Sequence, residues 1–395
     1  MSAIDPVVIV SATRTPLGRF QGDLSPLQAP ELGAHVIRTA LERAGLSAER
    51  VDEVLFGCVL PAGQGQAPAR QAARGAGLPD AVGATTINKV CGSGMKATML
   101  AHDLILAGSA SIAVAGGMES MSNAPYLLAK ARGGYRMGHN RIFDHMILDG
   151  LEDAYEGRSM GDFGEMAVEA YQFSRDDQDA YAVETLSRAR KALETGAFEA
   201  EITPISVTAK GGPVTVAKDE HPQKVSPEKI PTLKPAFRKD GTITAASASA
   251  NADGAAALVL MRRSVAEREG LPILAEIKAH ATHSQEPAWY TTAPIPAIRK
   301  VLDKTGWRIG DVDLFEINEA FAVVAMAAAK ELGIARDRLN VNGGACALGH
   351  PIGATGARLI VTLLHALERQ GARRGVASLC IGGGEATAIA VERAE

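Results

Sequence analysis

Aromatic side chains are scarce, with Phe, Trp and Tyr making up 4% of the 395 residues. That supply excludes the stacked-ring platforms on which single-stranded nucleic acids are held. Charge of one sign is lacking too. Lys and Arg number 41 against 45 Asp and Glu, a net charge of −4. Duplex DNA needs a broad basic surface, so no nucleic-acid partner is expected. No apolar run is long enough to span a bilayer, which excludes a helical membrane anchor. Cysteines are few. Cys58, Cys91, Cys346 and Cys380 are dispersed without CxxC spacing, which argues against a disulfide framework or a zinc knuckle and for reduced thiols. Met1–Pro6 has no leader-like pattern and Arg393-Ala394-Glu395 is no peroxisomal tripeptide, so a cytoplasmic location is expected.

What is present is small and apolar. Hydrophobic residues reach 46%, with 41 glycines, a composition suited to helices packed closely on sheets. The length predicts two or three core units. In the first third, strand patterns at 7–12, 54–59, 85–90 and 112–115 alternate with helical ones near 30–44, 68–75 and 94–107. The last third repeats this, with strands at 273–279, 314–317, 377–381 and 386–391 and helices near 296–304, 319–332 and 353–370. Such alternation predicts an α/β fold with a mostly parallel sheet.

The two thirds also match in detail. Cys91-Gly-Ser-Gly opens a helix that leads to a strand and Gly116-Gly-Met-Glu119. His350-Pro-Ile-Gly opens another that leads to a strand and Gly382-Gly-Gly-Glu385. This pattern predicts duplication of one αβ unit. Residues 122–246 break the rhythm and read as an insertion, with a basic stretch at 130–141, a helix capped by Ser174 and a Pro-rich stretch at 219–235. The expected domains are 1–121 with 247–270, the insertion 122–246, and 271–395.

Cys91 lies between a strand and a helix start, where unpaired N–H groups and the helix dipole favour thiolate. A drop of ~2 units from a free thiol's value is worth roughly 2.7 kcal/mol. The flanking Gly92 and Gly94 would let a ligand approach closely. His350 holds the matching place in the second copy and is the expected base for Cys91. Read alone, Cys380 is a core residue and Asn318 a helix N-cap. Gly382–Gly384 leave N–H groups bare, as an oxyanion hole requires. His280 and His283 have HxxH spacing but no evident acidic partner, so no metal site is expected. The Gly-rich 349–356 stretch lacks the Lys-Ser/Thr of a P-loop. Cys58 and Cys346 read as structural.

Five blocks then stand in order along the whole chain: Ser11-Ala-Thr-Arg-Thr-Pro16, Asn88-Lys-Val-Cys-Gly-Ser-Gly94, Asn318-Glu-Ala-Phe-Ala322, Asn342-Gly-Gly-Ala-Cys-Ala-Leu-Gly-His-Pro351 and Cys380-Ile-Gly-Gly-Gly384. Together they resemble the thiolase family. The resemblance implies two duplicated αβ domains in a five-layered αβαβα arrangement, with a loop domain inserted in the first. It implies reversible Claisen condensation of two acetyl-CoA to acetoacetyl-CoA plus CoA, by a ping-pong route through a Cys91 acyl-enzyme. The alternative is a degradative 3-ketoacyl-CoA thiolase of broader chain length.

In that scheme His350 activates Cys91, and Cys380 moves the proton at the α-carbon. One oxyanion hole comes from His350 and a water held by Asn318, the other from the N–H groups of Cys91 and Gly382. Ser249, Met160, Ala320, Phe321 and Lys224 are the expected contacts to CoA and its pantetheine. No metal and no separate cofactor are implied, because the CoA thioesters are the substrates. Acyl-CoA and CoA are the expected partners, in a homotetramer built as a dimer of dimers. Departures from the family pattern fall at Ser159 (usually His), in 245–250, near Trp289–Tyr290 in place of a pocket methionine, and at Gln223, whose usual Arg role passes to Lys224.

Overall fold

A computed structural model describes residues 5–209 and 211–394 of the chain. The first half contributes β1 (Val7–Arg14), β2 (Gly18–Arg19), α1 (Ala29–Ala44), β3 (Glu53–Gly57), α2 (Pro68–Gly75), β4 (Gly83–Ile87), α3 (Ser93–Ala107) and β5 (Ile112–Ser120). The chain then leaves the sheet for β6 (Tyr126–Leu127), β7 (Phe143–Asp144), α4 (Met160–Tyr171), α5 (Arg175–Glu194), β8 (Ile205–Ala209), β9 (Gly212–Val216) and α6 (His221–Lys224). It returns through β10 (Ala252–Arg262) and α7 (Arg263–Glu269). The second half follows with β11 (Ala275–Ser284), α8 (Pro294–Thr305), β12 (Leu314–Ile317), α9 (Ala322–Leu332), α10 (Ala345–Leu348), α11 (Ile352–Gln370), β13 (Arg374–Ile381) and β14 (Glu385–Glu392).

Among the described residues ten strands share one sheet, in the order β12-β13-β14-β11-β1-β10-β5-β3-β4 with β2 beside β10. Within the sheet, among the described residues, the halves pair at Val8 opposite Glu276 and Ile9 opposite Ala275. Helices α3 and α11 pack on each other and on strands of both halves, while α1 and α2 cover one outer face and α8 the other, with α9 against α8. The result is five layers. Buried β1 is apolar or small throughout Val7–Ala12 because both of its faces are covered.

Two expectations need correction. The sheet is mixed rather than mostly parallel: among the described residues only β12/β13, β3/β4 and β3/β5 run parallel. Three of the antiparallel pairs, β1/β11, β11/β14 and β13/β14, join strands the sequence showed, and the others involve β10, which the sequence reading missed. This Ala-rich strand lies antiparallel between β1 and β5, and its small side chains give a weak periodic signal. The second correction concerns the paired Gly motifs. Gly116–Glu119 lies inside β5, whereas Gly382–Gly384 forms the turn between β13 and β14. The helix expected from Glu319 starts instead at Ala322.

The inserted segment is anchored by buried charge. Arg14 of β1 reaches Glu201 at 2.6 Å and Asp219 at 2.7 Å, and all three side chains are fully buried. Ser174 caps α5 as expected, in a reciprocal box with Asp177. Residues 129–142 are exposed throughout.

Candidate active site

The turn from β4 into α3 is sharp. Val90 takes φ +45°, a left-handed conformation that costs a β-branched residue on the order of 1–3 kcal/mol. Ser93 holds the bend, accepting from Lys89 N–H at 2.8 Å and donating to Val90 O at 2.7 Å. Cys91 follows, one residue ahead of the N-cap Gly92. The start of α11 lies alongside. A Cβ on Gly94 would sit 2.9 Å from Ala357 N and 3.0 Å from Gly353 O, and one on Gly92 would strike the Ile381 side chain. These glycines therefore admit neighbouring protein rather than ligand, which corrects the sequence reading.

His350 precedes α11 and is 5% exposed. Its Nδ1 lies 2.6 Å from Thr355 Oγ1, and that hydroxyl donates its own proton to Pro351 O at 2.9 Å. Nδ1 must therefore carry the ring hydrogen, leaving Nε2 with the lone pair. Nε2 is 3.4 Å from Asn318 Nδ2. Burial, reinforced by the Arg358 charge, pushes His350 down to about 3. The imidazole is neutral and free to accept a proton. Asn318 is fully buried, four residues before α9 begins, so it is no N-cap. Its Oδ1 has no protein partner.

The expected low-pKa thiol is not what burial produces. Desolvation pushes Cys91 up to about 11, against the Gly382 N–H and its own N–H, which pull it down. Helix-start electrostatics lose to desolvation here, and Cys91 rests as a thiol. Cys380, at the end of β13, is fully buried. Burial, and then the neighbouring Cys91 charge, hold its pKa well above the ordinary thiol value.

Cys91, His350 and Gly382 share the wall of a cleft of about 480 Å³. Met160, Ser249, Ala320 and Phe321 line it too, and Ser249 N–H donates to Ala320 O at 2.9 Å. Cys380 and Asn318 are not on this wall. Lys224 is exposed on α6 and away from it, whereas His221 of the same short helix lines it. Of Trp289 and Tyr290, where a departure from the family pattern was expected, Tyr290 lines the cleft. This ring is 2% exposed, walls the cleft, and donates its hydroxyl to Met160 O at 2.9 Å. A groove of about 560 Å³, beside Tyr171 and Arg336, is lined by no cysteine, serine or histidine among the described residues.

Two supporting residues escaped the sequence reading. Thr355 had a readable signal, a hydroxyl in the first turn after His350. Glu119 had none. It accepts N–H bonds from Val59 at 3.0 Å, Leu60 at 3.1 Å and Gly353 at 2.8 Å. It thereby ties β3's exit to the start of α11. Burial outweighs those bonds and pushes its carboxyl up to about 7.

Residues 7–264 match the family profile described as Thiolase, N-terminal domain, and residues 271–393 match Thiolase, C-terminal domain. The acetyl-CoA acetyltransferase of Pseudomonas aeruginosa is 52% identical over 389 residues, covering 98% of this chain and 99% of the relative. That of Escherichia coli is 49% identical, covering 98% of each. The crystal structure of the Bacillus anthracis acetyl-CoA acetyltransferase superposes with a TM-score of 0.97 at 43% identity and full coverage of both chains. An Ascaris suum thiolase in complex with coenzyme A gives 0.94 at 42% identity, covering 98% of this chain and 100% of that one.

Proposed function

The chain belongs to the thiolase family, and on that premise we propose that it is an acetyl-CoA C-acetyltransferase, condensing two acetyl-CoA to acetoacetyl-CoA and CoA. One observation carries the assignment of roles. A thiol and a neutral imidazole share one cleft wall, and a second, buried thiol neighbours the first.

Condensation needs one group to hold an acyl unit and another to move a proton at carbon. Cys91 loses its proton to His350 Nε2 as its sulfur attacks the first thioester. The C–S bond to CoA breaks, and His350 returns the proton to the departing CoA sulfur. The N–H groups of Cys91 and Gly382 stabilise the oxyanion, each such donor being worth about 2.7–4 kcal/mol. His350 Nε2 next takes the thiol proton of Cys380, and a second acetyl-CoA gives its α-proton to the resulting Cys380 thiolate. Its enolate oxygen is held by the Nε2–H that His350 now carries and by a water on Asn318. The carbanion attacks the acetyl carbon, and Cys91 leaves as the new C–C bond closes, recovering its proton from His350 Nε2. No step runs through a metal or a resident cofactor.

Met160, Ser249, Ala320 and Phe321 would bind the pantetheine arm, and Lys224 the nucleotide end. Tyr290 fills the wall that a long acyl chain would need, which supports short substrates. Assembly as a dimer of dimers is part of the reading. Tyr126, Leu128, Met137 and Ile142 are exposed around the basic stretch, and a second dimer would cover them. The protein is read as cytoplasmic. Thiolysis profiled across acyl lengths tests the substrate. Preference for C8 or longer would replace this reading with a degradative thiolase of broad range.

A further inference from the structure

His280 stood out in the sequence for its spacing from His283, but the two do not act together. Three positions apart on β11, they point to opposite faces of the strand. His283 Nε2 meets Gln285 Oε1 at 3.0 Å instead. His280 turns toward α3, where two further donors wait. Its Nε2 lies 2.9 Å from Asp103 Oδ1, and His102 Nδ1 lies 3.1 Å from the same oxygen. The two rings meet edge to face at 5.0 Å between centroids.

We propose that His102, Asp103 and His280 form a site for a divalent transition metal that clips α3 of the first half to β11 of the second. The three donor atoms lie within 4.8 Å of one another. A tetrahedral ion with bonds of about 2.1 Å wants its ligands roughly 3.4 Å apart, so modest side-chain rotation suffices. Two imidazoles and one carboxylate are the donor set of borderline ions such as Zn²⁺, Co²⁺ and Ni²⁺ rather than of Ca²⁺ or Mg²⁺. The exposure pattern fits an open site. The imidazoles are 12% and 16% exposed while Asp103 is 52% exposed, leaving room for water on the remaining coordination positions.

Protonation agrees with this geometry. Burial lowers His280, despite its bond to Asp103, so the ring offers a lone pair at neutral pH. Burial opposes ionisation of Asp103, but the two histidine bonds outweigh it and hold its carboxyl below the ordinary value. The charge facing the site from α8 belongs to Lys304, whose Nζ is engaged with His280 O at 2.8 Å. The metal would displace ring hydrogens that simply move to the opposite nitrogens, and no step of the acyl transfer depends on it.

Co²⁺ titration of the purified full-length protein is the test, read by visible d–d absorption and equilibrium dialysis. One Co²⁺ per chain is expected, without the near-ultraviolet charge-transfer band of a cobalt–thiolate bond. His280→Gln and Asp103→Asn should each lower the affinity at least 10-fold, and Zn²⁺ should raise the Tm of the parent chain but of neither variant. Thiolysis activity reports that the variants fold, and Asp103, being exposed, is the safer substitution. Absence of d–d bands at millimolar Co²⁺ would overturn the proposal. So would equal binding in parent and variants, or a thiolate band that disappears when Cys91 is alkylated.

Discussion

His350 Nδ1 sits 2.6 Å from the hydroxyl of Thr355, five residues further along the chain. Because Thr355 spends its own hydrogen on Pro351 O, the pair fixes which imidazole nitrogen can take a proton. Thr355→Val removes the acceptor with little change in volume. A fall in kcat of about 10-fold to 100-fold is expected with a nearly unchanged Tm, and recovery in Thr355→Ser. Loss of Tm in step with kcat would mean that the hydroxyl only supports the fold.

The two thiols divide the work. Cys91→Ala should yield no acyl-enzyme with acetyl-CoA by intact-mass analysis. Cys380→Ala should still gain one acetyl group yet form no acetoacetyl-CoA, because no base remains for the α-proton. Failure of acylation in both variants would contradict the assigned roles.

Cys91, pushed up to about 11, is protonated at rest in the substrate-free protein. Its thiolate fraction therefore grows with pH, close to tenfold per unit, until the pH nears that value. Inactivation by iodoacetamide should accelerate steadily from pH 7 to about pH 10. A plateau near neutrality would show a resting thiolate–imidazolium pair instead.

Tyr290 limits the acyl end of the cleft. In Tyr290→Ala the preference for six-carbon over four-carbon 3-ketoacyl-CoA in thiolysis should rise by roughly 10-fold. An unchanged chain-length profile would place the acyl group elsewhere.

Arg14 tests the scaffold rather than the chemistry. Its removal leaves Glu201 and Asp219 buried without their cation, a loss of about 3–5 kcal/mol. Arg14→Ala should lower the denaturation midpoint accordingly. A change within ±0.5 kcal/mol would show that water replaces the guanidinium.

Cys380 entered only through the family resemblance of its motif, but by itself the sequence determined the α/β class, the position of most helices and Cys91 and His350 as candidates at helix starts. These rest on local periodicity and on the reactivity of particular atoms, which a linear string carries. Even there it missed β10, whose alanines and glycine make no period, and it could not show which strands pair antiparallel. Only the tertiary structure decided the rest, because burial and through-space distance are sums over residues far apart in the chain. Thr355 orients His350, Glu119 reaches across to Gly353, and Asp103 meets His280 only because the halves close around α3 and α11. Cys91 shows the difference most plainly. Its place before a helix predicted a lowered pKa, but the desolvation imposed by both halves is the larger effect, and the thiol keeps its proton.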